Sequence, residues 1–579
     1  MNRAPSRATG PCSCAEHRLW IWEEGCASIP TVPAASAMPN PGALRWSGST
    51  CEAPKRSPTY GLLTDLGEHP SAAARCGTRA ADPRSAANPG NLTPASATMS
   101  PVKWVKRILI TLGALLLVLV LAVVGILWYL KIPTTGAAMA AKAVCSAAFV
   151  AGRPADVDTL MAQDVTPASP ALFGLVSAEI NEEEHYATGK FLGMFKRQAS
   201  FTTDRGCVLG APADPSAVPY QAAPADPAPW PAGDAVAPEA DWPAGVQGEE
   251  LKTVVEEAFA DSGDPLGANA RGVAVVQDGK LLVLRSGKDI DNPNVALHGW
   301  SMTKTVSAML AYKKLTEMGI DIETPVVEAF PEGKAPGWVE QWQADERAGI
   351  TIADLMYMRA GLKIDEGYDP GSDVLDMLYN QQDMAGWAAE HPSEYPPGEY
   401  WEYLSAVSNI IAEIVQAQFG TLEEYWTYPK TALYDPLGVK TATLETDTIG
   451  TWVGSSYLWA SPGDWARFGQ MMMDGGQWEG QQILPPGWLE LAGTSAVPEG
   501  EGAGYGAQTW IAANPVGGSC KDTQGIPEDT LYMGGHWGQT VAMVPSRDAV
   551  VVRLGWTFNG EEAFDRCQFL SDVLKTLPE

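Results

Sequence analysis

Histidine is scarce in this chain, six among 579 residues. None stands at ligand spacing from another, so no metal and no cofactor are expected. No G-x-S-x-G occurs, which argues against an α/β-hydrolase. Basic charge is short too: 39 Lys and Arg face 69 Asp and Glu, a net of −30. Residues 1–107 hold 12 Lys/Arg against 7 Asp/Glu, which leaves 27 against 62 for the other 472 residues. So acidic a surface repels phosphate backbones, and nucleic acid is not an expected partner. Residues 1–98 lack any sustained strand or helix period. There Ala, Pro, Arg and Ser mix with five cysteines, Cys12, Cys14, Cys26, Cys51 and Cys76. Disorder is expected for 1–98; a translated upstream region ahead of a start at Met99 is at least as good a reading.

What is present begins with Ile108–Leu130, 23 residues without a charge. At about 1.5 Å per residue this run crosses a bilayer core of about 30 Å. Lys103, Lys106 and Arg107 precede it and Lys131 follows, so the N-terminus is expected in the cytoplasm and the rest outside, in the periplasm. A cleaved signal peptide competes with an uncleaved anchor, but the run exceeds the usual signal core and Gly136-Ala137-Ala138 is a poor cleavage site. Beyond it lie four cysteines, Cys145, Cys207, Cys520 and Cys567, which an oxidising compartment would allow to form two bridges. Cys145 with Cys207 would brace the first segment and Cys520 with Cys567 would tie a late loop to the last helix. Spacing alone does not fix the connectivity, and four buried thiols are the other reading.

Residues 138–210 are expected to form a small extracytoplasmic region that opens with a helix over about 138–150. Residues 211–247 are rich in Pro and Ala, excluding helix and central strand. They form either a spacer or an arm packed through Tyr220, Trp230 and Trp242. The main domain, 248–579, starts with a helical face of Leu251, Val254, Val255, Ala258 and Phe259. Two apolar strands then flank Asp278-Gly279, a hairpin signal. Thr351 and Asp354 predict a capped helix that runs to Ala360, where Gly361 stops it. Residues 457–476 predict an amphipathic helix begun at Ser461-Pro462. Strands at 540–544 and 549–556 and a closing helix at 563–577 follow. The layout is α+β: one antiparallel sheet flanked by the first and last helices, with a helical subdomain between.

Ser301 and Lys304 open the helical run that ends near Gly319. Three positions apart, they share one face of the first turn and bring an amine to a hydroxyl. A serine hydroxyl needs a base at neutral pH, and a lysine partly removed from water can serve. Two later stretches complete the pattern, Tyr403-Leu404-Ser405 before a helix and His536-Trp537-Gly538-Gln539 before a strand. Beside a glycine at the strand edge a substrate can lie close and a backbone N–H can face an oxyanion.

In these motifs, and in 454–476 and 535–556, residues from about 250 to 579 resemble the serine β-lactamase-related family. That family includes class C β-lactamases, D-Ala-D-Ala carboxypeptidases, family VIII carboxylesterases and 6-aminohexanoate-dimer hydrolases. The resemblance implies a β-lactamase/penicillin-binding-like fold and a serine hydrolase. Ser301 would be the acylated nucleophile, Lys304 its proton acceptor, and Tyr403 a second acid/base group held near its working ionisation by Lys304. The N–H groups of Ser301 and Gln539 would form the oxyanion hole, and Ser405, His536 and Gly538 would line the substrate cleft. Two positions depart from the pattern: Ser405 replaces the asparagine of Y-x-N, and His536 the lysine of K-T-G. A mostly neutral histidine greets a substrate carboxylate poorly, which moves the expectation from β-lactams toward esters or small amides. A penicillin-recognising sensor that acylates and stalls is the alternative. Tyr395 or Tyr400 could replace Tyr403, His536 could serve only its own loop, and His298 is expected to be structural.

Overall fold

The computed structural model describes residues 101–165, 174–221, 224–260, 267–287, 290, 292–558 and 563–579. The expectation for 1–98 lies outside them. Helix α1, Pro101–Tyr129, begins before the uncharged run, and its 102–129 stretch is long and apolar enough to cross a membrane. Beyond Lys103, Lys106 and Arg107 its surface is largely exposed apolar side chain. A single turn at Leu130 and Lys131 leads into α2, Ile132–Cys145, and a wider, π-helical turn over Ser146–Val150 extends it. This helix begins six residues earlier than its pattern suggested, because Pro133 is well placed in a first turn.

Four antiparallel strands follow as a meander: β1 (Val176–Asn181), β2 (Tyr186–Phe191), β3 (Phe195–Thr202) and β4 (Gly206–Leu209). The meander wraps α2 closely enough that a Cβ on Gly189 would lie 1.9 Å from the carbonyl oxygen of Ala137. Cys145 and Cys207 are bonded across this contact. Lys142 reaches from α2 into the main body, where it pairs with Glu445 and donates to the carbonyl of Cys207 at 2.8 Å. Glu445 also accepts from Ser146 Oγ at 2.8 Å, the Cys207 N–H at 2.7 Å and the Trp459 indole at 2.8 Å. A buried ion pair holds only when its remaining lone pairs are satisfied in this way.

The 211–247 segment packs as an arm. Tyr220 meets Phe201 edge-on at 5.5 Å, Trp230 lies under the Arg467 guanidinium at 4.4 Å, and Trp242 donates to the carbonyl of Ala237.

The main sheet has β5 (Ala270–Gln277), β6 (Lys280–Ser286), β7 (Trp510–Ile511), β8 (Leu531–Gly535), β9 (Gln539–Val544) and β10 (Ala549–Gly555). Their order is β7-β8-β9-β10-β5-β6, antiparallel throughout. Asp278 and Gly279, both at positive φ, turn β5 into β6, the geometry that favours D-G. One face of the sheet buries Leu251 and Val255 of α3 (Gly248–Glu257) and Leu570, Val573 and Leu574 of α7 (Arg566–Thr576). Cys520 is bonded to Cys567 beside them.

The other face carries α4 (Met302–Glu317) and α6 (Pro462–Met473), and α5 (Ser405–Ala417) packs on α4. Ser461 caps α6 by accepting from the Asp464 N–H. The expected amphipathic pattern of α6 is not expressed as a wet face, since every residue of the helix is buried. Its polar side chains are satisfied internally: Arg467 pairs with Asp464 at 2.9 Å and Asp234 at 3.1 Å. The helix predicted to run to Ala360 stops at Met356; its Thr351–Asp354 capping box is present, but Met358 and Gly361 turn to positive φ.

Candidate active site

Ser301 stands just before α4 with its hydroxyl free of any capping bond, and the approach to it is tightly constrained. Gly299 donates to the carbonyl of Leu458 at 2.9 Å, and a Cβ there would lie 2.2 Å from the Trp465 ring. Trp300 has φ 49°, a strained conformation for a bulky residue that the surroundings must impose. Those surroundings are aromatic: His298 at 4.2 Å, Trp537 at 5.0 Å and His536 at 5.5 Å between ring centroids. From this elbow the first turn of α4 brings Lys304 Nζ to 3.0 Å from Ser301 Oγ.

Lys304 is buried, and its other two donors are used on Ser405 Oγ at 2.9 Å and the Ser455 carbonyl at 3.1 Å. All three ammonium hydrogens thus have fixed partners. Desolvation lowers its pKa, while the charge of Glu366 works in the opposite direction. The Tyr403 ring lies 4.8 Å from the amine, which faces the ring. Withdrawal from water raises the phenol's pKa, and its hydrogen bond with Ser301 offsets part of this. Tyr403 is therefore a neutral phenol, contrary to the expectation that Lys304 holds it near its working ionisation: the ammonium sits over the ring face and is itself engaged elsewhere. Tyr395 and Tyr400 stack on each other at 4.0 Å in the preceding loop.

Ser405 was expected to line the substrate cleft, yet it is fully buried. Its hydroxyl accepts from Lys304 and donates to Glu366 Oε1, and its N–H donates to Glu366 Oε2 at 2.7 Å. It links the amine to the carboxylate and has no open face for a ligand. Glu366 is the functional residue that sequence reasoning missed. Desolvation raises its pKa, and Lys304 and the two Ser405 hydrogen bonds lower it. A single acid in the loop Ile364-Asp365-Glu366-Gly367-Tyr368 carries no periodic or motif signal.

His536 stacks on Tyr368 at 4.2 Å, and burial lowers its pKa to about 4, so it is neutral near pH 7. Beside Gly538 stands protein: a Cβ there would lie 2.6 Å from Arg553 Nη1. With φ 81° this glycine answers to the hairpin, and the space expected for substrate is occupied. Gln539 pairs with Gly535 across the hairpin, and its amide donates to the carbonyls of His536 at 3.0 Å and Gly555 at 2.6 Å. The strand end closest to the elbow is Gly535, where a Cβ would lie 2.3 Å from the carbonyl oxygen of Gly299. His298 stacks on Trp459 at 4.8 Å, hydrogen-bonds the Ser456 carbonyl, and is held neutral by burial with a pKa of about 3.

Among the described residues no cluster of His, Cys, Asp and Glu could hold a metal ion. The constellation consists of a hydroxyl, a buried amine, a neutral phenol and a carboxylate behind the amine, the parts of a nucleophile with its base.

A family model described as Beta-lactamase matches residues 255–569, more than half of the chain. The 6-aminohexanoate-dimer hydrolase of Paenarthrobacter ureafaciens is 27% identical over 283 residues, 44% of this chain and 64% of that protein. The chain thus spans less than two thirds of that relative. A penicillin-binding protein homolog from Caulobacter crescentus has a TM-score of 0.43 at 15% identity, covering 59% of this chain and 99% of that one. A beta-lactamase from Mycobacterium bovis has a TM-score of 0.40 at 18% identity, covering 56% and 99%.

Proposed function

The chain belongs to the beta-lactamase family, and on that premise we propose that it is a membrane-anchored serine hydrolase acting on esters or small amides through an acyl-enzyme on Ser301. The observation that carries this reading is the buried Lys304 amine at 3.0 Å from Ser301 Oγ. As the free amine, Lys304 accepts the hydroxyl proton while Oγ attacks the substrate carbonyl. The oxyanion is met by the Ser301 N–H and by a second N–H at the β8–β9 hairpin, a contribution of about 3 kcal/mol per donor. Gln539 is the sequence-derived choice for that second donor.

Tyr403 gives its proton to the leaving group and regains one through Lys304. Water then cleaves the ester by the reverse transfers. Ser405 and Glu366 position the amine.

A neutral His536 offers no fixed charge to a substrate carboxylate, which favours esters and amides over β-lactams and peptidoglycan stems. The Paenarthrobacter relative, a 6-aminohexanoate-dimer hydrolase, agrees with this preference. Helix α1 supplies the anchor, with Lys103, Lys106 and Arg107 on the cytoplasmic side. Sustained release from p-nitrophenyl acetate, with fluorophosphonate labelling at Ser301 and loss of both in Ser301→Ala, is the expected result. A single burst without turnover would support the stalling sensor; turnover unaffected by Ser301→Ala would refute the nucleophile.

A further inference from the structure

A cavity of about 430 Å³ lies where the anchor meets the catalytic body, within the range of small-molecule sites, about 300–1,000 Å³. One wall belongs to the candidate active site: Trp300, which precedes the nucleophile, with Tyr368 and His536. The opposite wall is membrane-proximal: Leu130 at the end of α1, Ile132 and Met139 of α2, and Val176 and Phe191 of the meander. Leu375 and Phe558 add to an apolar lining whose one carboxylate is Asp369. His536 is held neutral by burial. A buried donor also stands in this wall, since Trp300 Nε1 has no hydrogen-bond partner among the described residues.

We infer that this cavity receives the hydrocarbon chain of an amphiphilic ester or amide that reaches the active site from the membrane surface. The inference rests on the reading of Ser301 as nucleophile. Three features point to this occupant. The lining is apolar apart from Asp369 and offers no cation to an anionic headgroup. The cavity is continuous in its walls with both the residue before Ser301 and the last turn of the membrane helix. The unpartnered indole N–H supplies one donor for a carbonyl or hydroxyl on the bound chain, as sites for largely apolar ligands commonly do. An apolar chain in this cavity would leave its polar end at Tyr368 and His536, which pack on each other next to Trp300, the residue before the nucleophile.

The test uses the full chain in proteoliposomes and two substrate series, p-nitrophenyl esters from acetate to octanoate and n-alkyl acetates of matching length. The expected kcat/KM rises roughly threefold per methylene in one of the series, close to a hundredfold from butyrate to octanoate. Leu375→Trp, from the helix Asp373–Asn380, and Met139→Trp, from α2, both fill the cavity and should each collapse the longest-to-shortest kcat/KM ratio of that series toward one. Because partition of substrate into the bilayer is the same for every variant, that ratio isolates the cavity. Either tryptophan variant suffices if the other fails to fold by circular dichroism. A chain-length profile flat in both series, or one that rises and is unchanged by a folded tryptophan variant, overturns the inference. Absence of any acetate turnover would instead overturn the hydrolase reading on which it depends.

Discussion

Replacing Glu366 by glutamine removes the carboxylate that opposes the desolvation of Lys304. The two charges are joined through the Ser405 hydroxyl, so they stand about 5 Å apart. At an effective dielectric of about 20 this is an interaction of about 3 kcal/mol, or about two pH units. Burial already favours the neutral amine; without Glu366 the ammonium loses its stabilising partner, and the Lys304 pKa falls further. In the proposed mechanism the free amine accepts the Ser301 proton, so the acidic limb of the kcat/KM profile should move to lower pH by about one to two units. The glutamine can still accept from the Ser405 N–H, so the fold is kept. The assay is kcat/KM for p-nitrophenyl acetate across the acid range, with Glu366→Asp as the charge-retaining control. An acidic limb that stays in place, or moves upward, in Glu366→Gln while Glu366→Asp keeps the wild-type profile would refute the coupling of this carboxylate to the base.

Three further outcomes are expected. Lys142→Ala leaves Glu445 buried without its cation and should cost about 3–5 kcal/mol, read by denaturant unfolding, while Lys142→Met combined with Glu445→Gln should cost much less. Glu413 accepts from the Trp338 indole and is pushed up to about 7, chiefly by burial. The native state therefore binds its proton more tightly than the unfolded chain, and stability falls as pH rises from about 4.5 to 7. Glu413→Gln should flatten that fall and gain about 2–3 kcal/mol above pH 7, and a pH series of unfolding curves in which wild type and variant run parallel would sink the argument. Removal of the Cys520–Cys567 bond, which spans 47 residues, by Cys520→Ser with Cys567→Ser should destabilise the body by about 2–4 kcal/mol without changing kcat.

The elements with strong local signals were legible in the sequence. The Asp278-Gly279 hairpin, the Ser461 cap and the Ser301–Lys304 turn each rest on a few adjacent residues, and the structure places all three. The features that escaped depend on partners far along the chain. Ser405 lies 101 positions from Lys304 and 39 from Glu366; nothing in Tyr403-Leu404-Ser405 records that its hydroxyl is enclosed between them. Helix α6 looked half-wet because Asp464, Arg467 and Gln470 are polar. Their partners, Asp234, Lys440 and Asp548 among them, come from other segments and allow the helix to be buried on every side. The Gly538 expectation failed for a similar reason, since Arg553 arrives from the next strand to fill the place reserved for a ligand.

The passage from α1 to α2 has no slack. Backbone hydrogen bonds run through it, from Lys131 to the Trp128 carbonyl and from Thr135 to that of Lys131, and the Lys131 ammonium pairs with Asp376 at 2.7 Å. A stalk built in this way cannot act as a leash. With α1 in a bilayer as proposed, the molecule would meet its targets by drifting in two dimensions at a constant height, so crowding in the plane of the lipid, more than concentration in the surrounding fluid, would govern how often it finds them.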